Sequence, residues 1–264
     1  MPLTDDDQRC HSFTLRTTPK TQVDSYNEPG GAVHHFNLRA AHTQLLIEAE
    51  ARVETFRSNP FIDVNLIQDD WHLYTEDIRS HYAEFLAPTR LAPHIPEVYQ
   101  IAQVARRHAE RPSAASFVIS LNHKLHRLLE YQKGVTHAST SLEQFLEHRK
   151  GVCQDFAHTM LAVCRSQNIP SRYVSGYLYG PSGGPSTRAE GATHAWVECL
   201  LFDLEGRPNW HGFDPTNDVA TDDKYAKAHV GRDYHDVVPV KGVYRGLAQH
   251  LLEVQVTVTD ASRN

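Results

Sequence analysis

Apolar and polar residues alternate with period two in one segment of the first third of the chain. Residues 44–55 carry polar or charged side chains at every second position, with Leu46 as the one exception. The positions between them are apolar and hold Leu45, Ile47, Ala49, Ala51 and Val53. This period predicts a half-buried β-strand. Shorter alternations begin at Phe13 and Phe36, and residues 27–31 form a turn cluster, so we expect an antiparallel sheet covered on one face.

The period changes to that of a helix after a proline-rich segment. Residues 87–96 contain three prolines, which exclude a regular helix, and we predict a domain boundary there. Two amphipathic stripes follow, formed by Val98, Ile101, Ala102 and Ala105 and by Phe117, Leu121, Leu125, Leu128 and Leu129. Residues 141–144 fit a capping box. A further helix is predicted to begin close to Cys153 and to end at residues 168–170, where an asparagine precedes Ile-Pro.

Strands are predicted again in the last third of the chain. They are residues 172–180, 193–201 and 252–258, with a connection rich in glycine and proline at 180–186. Helices followed by strands indicate an α+β fold. The predicted parts are an N-terminal β-rich antiparallel domain at residues 1–86, a proline-rich linker at 87–96 and an α+β domain at 97–264.

Composition narrows the class of protein. The chain has 264 residues, 40% of them apolar, and a net charge of −6, which disfavours a nucleic-acid binder because such a protein needs a basic surface. No apolar run approaches the ~20 residues of a membrane helix, and the start MPLTDDDQR lacks the apolar region of a secretory signal. Four cysteines without C-x-x-C spacing favour reduced thiols. We therefore expect a cytoplasmic protein with no membrane partner.

Three residues form a candidate set of nucleophile, base and orienting group. Cys153 is predicted at a helix N-terminus, where the partial positive charge lowers the pKa of a thiol. His194 opens a predicted strand, and Asp214 follows that strand. A nearby imidazolium would favour the thiolate further, and an aspartate would fix the tautomer of the imidazole. Taken singly, the three residues also have ordinary interpretations as a core cysteine, a satisfied histidine and a turn aspartate.

The sequence around these residues resembles a known family. The matching blocks are GVCQDFAH at 151–158, NIPSRYVSGY at 168–177, THAWVE at 193–198, WHGFDPTN at 210–217 and GRDYHDVVPVKG at 231–242. In this order they are similar to the core of the bacterial transglutaminase-like superfamily of papain-fold cysteine enzymes. EAEARVET at 48–55 resembles a strand of the β-rich domain that precedes this core. The resemblance implies an N-terminal antiparallel β domain followed by a papain-like, transglutaminase-core α+β domain with catalytic function at residues 97–264.

The resemblance also implies roles for individual residues. It makes Cys153 the nucleophile, His194 the base and Asp214 the orienting residue, with the backbone N–H of Cys153 as the plain candidate for an oxyanion donor. Trp196 and Tyr131 are further candidates for substrate binding. Trp196 shares a strand face with His194 and could instead shield the ion pair from water or pack in the core. Tyr131 could be a side-chain oxyanion donor, or an aromatic residue that only packs.

The implied chemistry is acyl transfer through a thioester. With water as acceptor the protein is a peptidase or amidase acting on a peptide or protein, and we favour this hypothesis because no feature that would exclude water is evident. With an amine as acceptor it is a protein-glutamine transglutaminase, and a non-catalytic binding or scaffold protein on the same fold is the remaining alternative. We expect no cofactor or metal, because calcium-loop and H-E-x-x-H motifs are missing and a zinc site using Cys153 and His194 lacks further ligands.

Overall fold

The N-terminal strands form two antiparallel pairs. The computed structural model describes residues 1–62, 64, 69–180, 193–246 and 251–261. The first four strands are β1 (Gln8–Thr18), β2 (Val23–Glu28), β3 (Gly31–Phe36) and β4 (Leu46–Thr55). β1 pairs with β4, and β2 pairs with β3 across the predicted turn. The expected N-terminal antiparallel structure is confirmed, but its apolar face is only partly covered: Ile47 and Val53 are half-buried, whereas Ala49 and Ala51 are exposed.

Helices and short strands occupy the middle of the chain. They are a 3-10 turn at Trp71–Leu73, α1 (Glu76–His81), a 3-10 turn at Ala83–Phe85, α2 (Pro96–His108), α3 (Ala114–Leu128), β5 (Glu130–Tyr131), α4 (Leu142–His148), β6 (Lys150–Gly151) and α5 (Cys153–Ser166). The four residues of the stripe predicted for α2 are the four buried residues of that helix. The capping box of Ser141 and Gln144 forms at the start of α4. α5 begins at Cys153 as predicted, and Asn168 adopts the left-handed conformation (φ 61°) just after its end.

A five-stranded antiparallel sheet follows the helices. Its strands are β7 (Ser171–Leu178), β8 (His194–Phe202), β9 (Pro208–Asp214), β10 (Val219–Ala220) and β11 (Tyr225–Gly231). Their order across the sheet is β10-β9-β8-β7-β11, so β8 is central. Every residue of β8 is buried. This mixture of helices and antiparallel strands confirms the predicted α+β class.

The central strand β8 separates two clusters of apolar side chains. The main core includes most of α5 and, from one face of β8, Ala195, Val197 and Cys199. Cys199 lies 3.7 Å, sulfur to sulfur, from Cys164 of α5, and both thiols are fully buried. On the other face of the sheet, Trp196 packs in a smaller cluster with Tyr225 and Val230. The helix that begins at Cys153 is therefore packed against the strand that begins at His194.

The proline-rich segment is packed rather than extended into solvent. Leu91 and Ala92 are buried, and the buried guanidinium of Arg165 donates a hydrogen bond to the carbonyl of Ala87. Tyr74, which precedes the segment, lies in the main core and donates its hydroxyl hydrogen to the carbonyl of Leu200 on β8. The division of the chain at residues 87–96 stays a prediction.

The prediction of a strand at residues 252–258 is wrong. These residues form no strand, and Leu252 and Val254 are exposed. The alternating pattern is sufficient for one apolar face, but a strand also needs hydrogen bonds to a neighbour, and none of the described strands pairs with it. Most of the predicted connection at 180–186 lies outside the described residues.

Candidate active site

The start of α5 fixes the backbone around Cys153. The carboxylate of Asp155 accepts hydrogen bonds from the N–H of Val152 (2.8 Å) and from the hydroxyl of Thr136 (2.7 Å). A Cβ atom at Gly151 would overlap this carboxylate, so glycine is required for the close approach. As the first residue of the helix, Cys153 has an N–H with no acceptor within the helix. Its side chain is partly exposed, so a thiol and an N–H group without an intrahelical acceptor lie together at this helix end.

The antiparallel pairing of β8 and β9 brings His194 and Asp214 together. His194 is the first residue of β8 and Asp214 is the last residue of β9, and antiparallel neighbours place these ends side by side. Nε2 of His194 lies 2.7 Å from Oδ2 of Asp214, and neither side chain is exposed to solvent. The pair is therefore a buried charge-assisted hydrogen bond rather than a surface contact.

Asp214 is held by four further donors. The backbone N–H groups of Thr216 (2.9 Å) and Asn217 (3.3 Å) donate to Oδ1. The side-chain amide of Asn217 (2.7 Å) and the hydroxyl of Tyr225 (2.9 Å) donate to Oδ2, the oxygen that also contacts His194. Burial alone raises the pKa of Asp214, but His194 and these donors outweigh burial and hold the pKa below its usual value. The carboxylate is thus kept ionised and in one orientation.

His194 is a stronger base than an ordinary histidine. Burial alone lowers its pKa, but the charge and hydrogen bond of Asp214, with a smaller contribution from Cys153, raise the pKa from 6.5 to about 10. With Nε2 committed to Asp214, Nδ1 is the nitrogen left for exchange with a substrate or a thiol. Nδ1 is buried and has no well-aligned hydrogen-bond partner among the described residues, although Cys153 is near enough to affect the ring. The imidazolium is therefore favoured at neutral pH.

Trp196 and Tyr131 take different positions around this group. Trp196 is 1% exposed, and its ring centre lies 6.2 Å from that of His194. This position fits the shielding and core interpretations of Trp196. Tyr131 is half-buried on β5, which pairs in parallel with β6, so that Tyr131 lies opposite Gly151, two residues before Cys153. Substrate binding by either residue stays a prediction.

Two partners of Asp214 were missing from the sequence-based candidates. Asn217 lies within the matched block at 210–217, and the residue type is suited to orient a carboxylate. Tyr225 carries no comparable signal, because its contact with Asp214 is made by tertiary packing across the sheet and not by a neighbour in sequence. Among the described residues, no group of three or more histidine, cysteine or acidic side chains could hold a metal ion.

These observations define a class of protein: an α+β fold with a half-exposed cysteine at a helix N-terminus beside a buried histidine–aspartate pair. Family comparison agrees with this description. Residues 100–215 match the model of the transglutaminase-like superfamily, and residues 1–54 match the bacterial transglutaminase-like N-terminal region.

Similar proteins extend over nearly the whole chain. A protein of Mycobacterium leprae that is described only as uncharacterized is 34% identical over 93% of this chain and 84% of its own length. An uncharacterized protein of Mycobacterium tuberculosis is 29% identical over 95% of this chain and 82% of its own. With the matches to the two family models at residues 1–54 and 100–215, the chain belongs to the transglutaminase-like superfamily.

A solved structure supports the fold. The crystal structure of a candidate cysteine protease from Cytophaga hutchinsonii superposes with a TM-score of 0.64, at 23% identity, over 90% of this chain and 76% of the other. At this identity the likeness bears on the fold alone. Among the described residues, no helix has the length and apolar composition that crossing a bilayer requires.

Proposed function

We propose that the chain is a cysteine-dependent acyl-transfer enzyme, a peptidase or amidase that cleaves amide bonds in a peptide or protein through a thioester. The observation that carries this proposal is the buried 2.7 Å contact of His194 and Asp214 beside the half-exposed thiol of Cys153. A buried ion pair is costly to maintain, and its position next to a nucleophile at a helix N-terminus is a reason to maintain it.

The proposed reaction has two halves. The thiolate of Cys153 attacks the amide carbonyl, and the backbone N–H of Cys153 donates a hydrogen bond to the oxyanion. The C–N bond then breaks as the imidazolium of His194 gives its proton to the leaving amine, which leaves a thioester. Water attacks the thioester while His194 takes one proton from it, and the carboxylic acid departs as the thiolate is restored. Asp214 holds the imidazole in orientation in both halves.

Water is the acceptor that we favour. The side chain of Cys153 is partly exposed, so water reaches the thioester carbon unless a bound acceptor displaces it. Protein-glutamine transglutamination, with an amine as acceptor, is the second hypothesis. A screen of peptides with and without added amine separates the two, because hydrolysis products at saturating amine favour the peptidase.

The test of the enzyme hypothesis is the reactivity of Cys153 against pH. Iodoacetamide alkylation, quantified by peptide mapping, is compared between wild type and His194→Ala. We expect a rate that is already on a plateau near pH ~6 in the wild type and that is displaced to alkaline pH in the variant, since the imidazolium stabilises the thiolate. Cys10, a half-exposed thiol far from His194 in sequence, is the internal control in each sample.

The opposite result has a definite meaning. If the rate at Cys153 rises only near pH ~8.5 in both proteins, as for an ordinary thiol, the enzyme hypothesis fails. The chain would then be a binding or scaffold protein on the same fold, which is the third hypothesis.

A cytoplasmic location is part of the proposal. The four cysteines are free thiols, which suits a reducing compartment. Cell fractionation with detection of the native chain tests this prediction.

A further inference from the structure

Tyr225 shares with His194 a single oxygen atom of Asp214. The hydroxyl of Tyr225 donates to Oδ2 at 2.9 Å, and Nε2 of His194 lies 2.7 Å from the same atom. The side-chain amide of Asn217 is the third donor to Oδ2, at 2.7 Å. Three donors therefore compete for one carboxylate oxygen that has two lone pairs, and each of them receives only part of its charge.

The position of Tyr225 is fixed on several sides. Its backbone pairs with Leu178 of β7, and its ring stacks edge-on against Trp196, with centres 5.3 Å apart at 77°. The ring centre of His194 is 6.2 Å away. Because the ring is buried and packed in this way, the hydroxyl has little freedom to leave Asp214.

We propose that Tyr225 is a positioning residue of the active site, whose hydroxyl holds the carboxylate of Asp214 in place and withdraws part of its charge from His194. This inference rests on the proposed function. In the acyl-transfer reaction, His194 must give a proton to the leaving amine. A carboxylate with one donor fewer would hold that proton more tightly, so the hydroxyl of Tyr225 makes the imidazolium a better acid.

The charges around Tyr225 favour its role as a donor. Burial, the charge of Asp214 and, further away, Asp222 raise the pKa of Tyr225, while the amide of Asn217 lowers it. The net effect is a strong rise, so the hydroxyl keeps its hydrogen throughout the range in which the enzyme would act. Among the titratable groups of the described residues, His194 acts directly on Asp214, and Cys153 acts on the imidazole of His194.

The test removes only the hydroxyl. In Tyr225→Phe, the titration midpoint of His194 is followed by NMR of its ring carbons, with the resonance assigned by its loss in His194→Ala. We expect the midpoint to move to higher pH by about 0.5–1 unit, because one donor to the shared oxygen is lost. Tyr74→Phe is the matched control: it also loses a buried hydroxyl, bonded to the carbonyl of Leu200 at 2.7 Å, and we expect no shift.

A second variant guards against loss of folding. Asn217→Ala removes another donor from the same oxygen, and it should shift the midpoint in the same direction. An unchanged midpoint, within about 0.2 unit, in a folded Tyr225→Phe overturns the inference, as does a shift of the same size in Tyr74→Phe.

The NMR titration tests the role of Tyr225, and the alkylation profile of Cys153 tests the proposed function, so that either proposal can be refuted without the other. A plateau near pH ~6 together with an unshifted midpoint leaves the enzyme standing without a role for Tyr225. A missing plateau overturns the proposed function itself, whatever the midpoint does.

Discussion

The buried ammonium of Lys227 on β11 is the centre of an ion-pair cluster that joins the N-terminal segment to the five-stranded sheet. Its Nζ atom lies 2.6 Å from Asp5, 2.9 Å from Asp7 and 3.0 Å from Glu198 of β8. Lys227 is only 5% exposed. Glu198 has a second partner in Arg172, and despite burial these two cations lower its pKa from 4.5 to about 2.

Replacing Lys227 with methionine would leave three carboxylates without their shared cation. Removal of one partner of a buried ion pair costs about 3–5 kcal/mol in the free energy of unfolding. The unfolding entropy of a chain of 264 residues is about 0.55 kcal/mol per degree at ~2.1 cal/mol/K per residue. We therefore expect Lys227→Met to lower the melting temperature by about 5–9 °C.

Urea unfolding, followed by circular dichroism, measures the loss in the free energy of unfolding. Lys224→Met is the matched control, because Lys224 lies nearby in sequence, is exposed and has a 3.5 Å contact with Asp222. That pair should contribute less than ~1 kcal/mol. A loss below ~1 kcal/mol for Lys227→Met, or equal losses for the two variants, would refute the reasoning.

Two further predictions concern pH and the start of α5. Burial lowers the pKa of His158 to about 3 and that of His211 to about 4. Each neutral histidine therefore contributes fully to the free energy of unfolding above pH ~6.5, and this contribution is lost as the pH falls below that value. At pH ~5 the loss is about 2 kcal/mol for each histidine. Urea unfolding at pH ~7 and ~5 measures the loss, and His158→Gln should remove about half of it; an unchanged difference contradicts the assignment. Gly151→Ala should cost about 1–3 kcal/mol in the same assay because the added methyl group overlaps Asp155, whereas Gly242→Ala, in open space, should cost almost nothing; equal costs would contradict the packing argument.

Features set by neighbours in sequence were predictable from the sequence. The buried stripe of α2 follows from helical spacing, and the conformation of Asn168 follows from a residue type that tolerates positive φ before a proline. The start of α5 at Cys153 belongs to the same group.

Features set by pairing between distant segments could not be predicted from the sequence. Residues 44–55 and 252–258 have the same alternating pattern, yet of the two segments only the first pairs with another described strand, which is β1. Local pattern reports which face of a strand is apolar, and it is silent on the neighbour that the strand requires.

The candidate site divides in the same way. Cys153, His194 and Asp214 stand in ordered sequence blocks and could be proposed from them, and the contact of His194 with Asp214 is present in the structure. The hydroxyl of Tyr225 contacts Asp214 although β11 lies at the far edge of the sheet, with β8 and β7 between it and β9, and nothing in the sequence near Tyr225 encodes that contact.

The two buried thiols between α5 and β8, Cys164 and Cys199, provide a probe for local opening of the folded protein. We expect a thiol reagent in excess to react with the partly exposed Cys10 and Cys153 in the folded chain, and with the buried Cys164 and Cys199 only when the helix separates from the strand. The slow phase of thiol loss in native buffer therefore counts these rare separations. The helix carries Cys153 and the strand carries His194. The rate of thiol loss at Cys164 and Cys199 therefore measures how often the proposed nucleophile and base separate in the absence of denaturant.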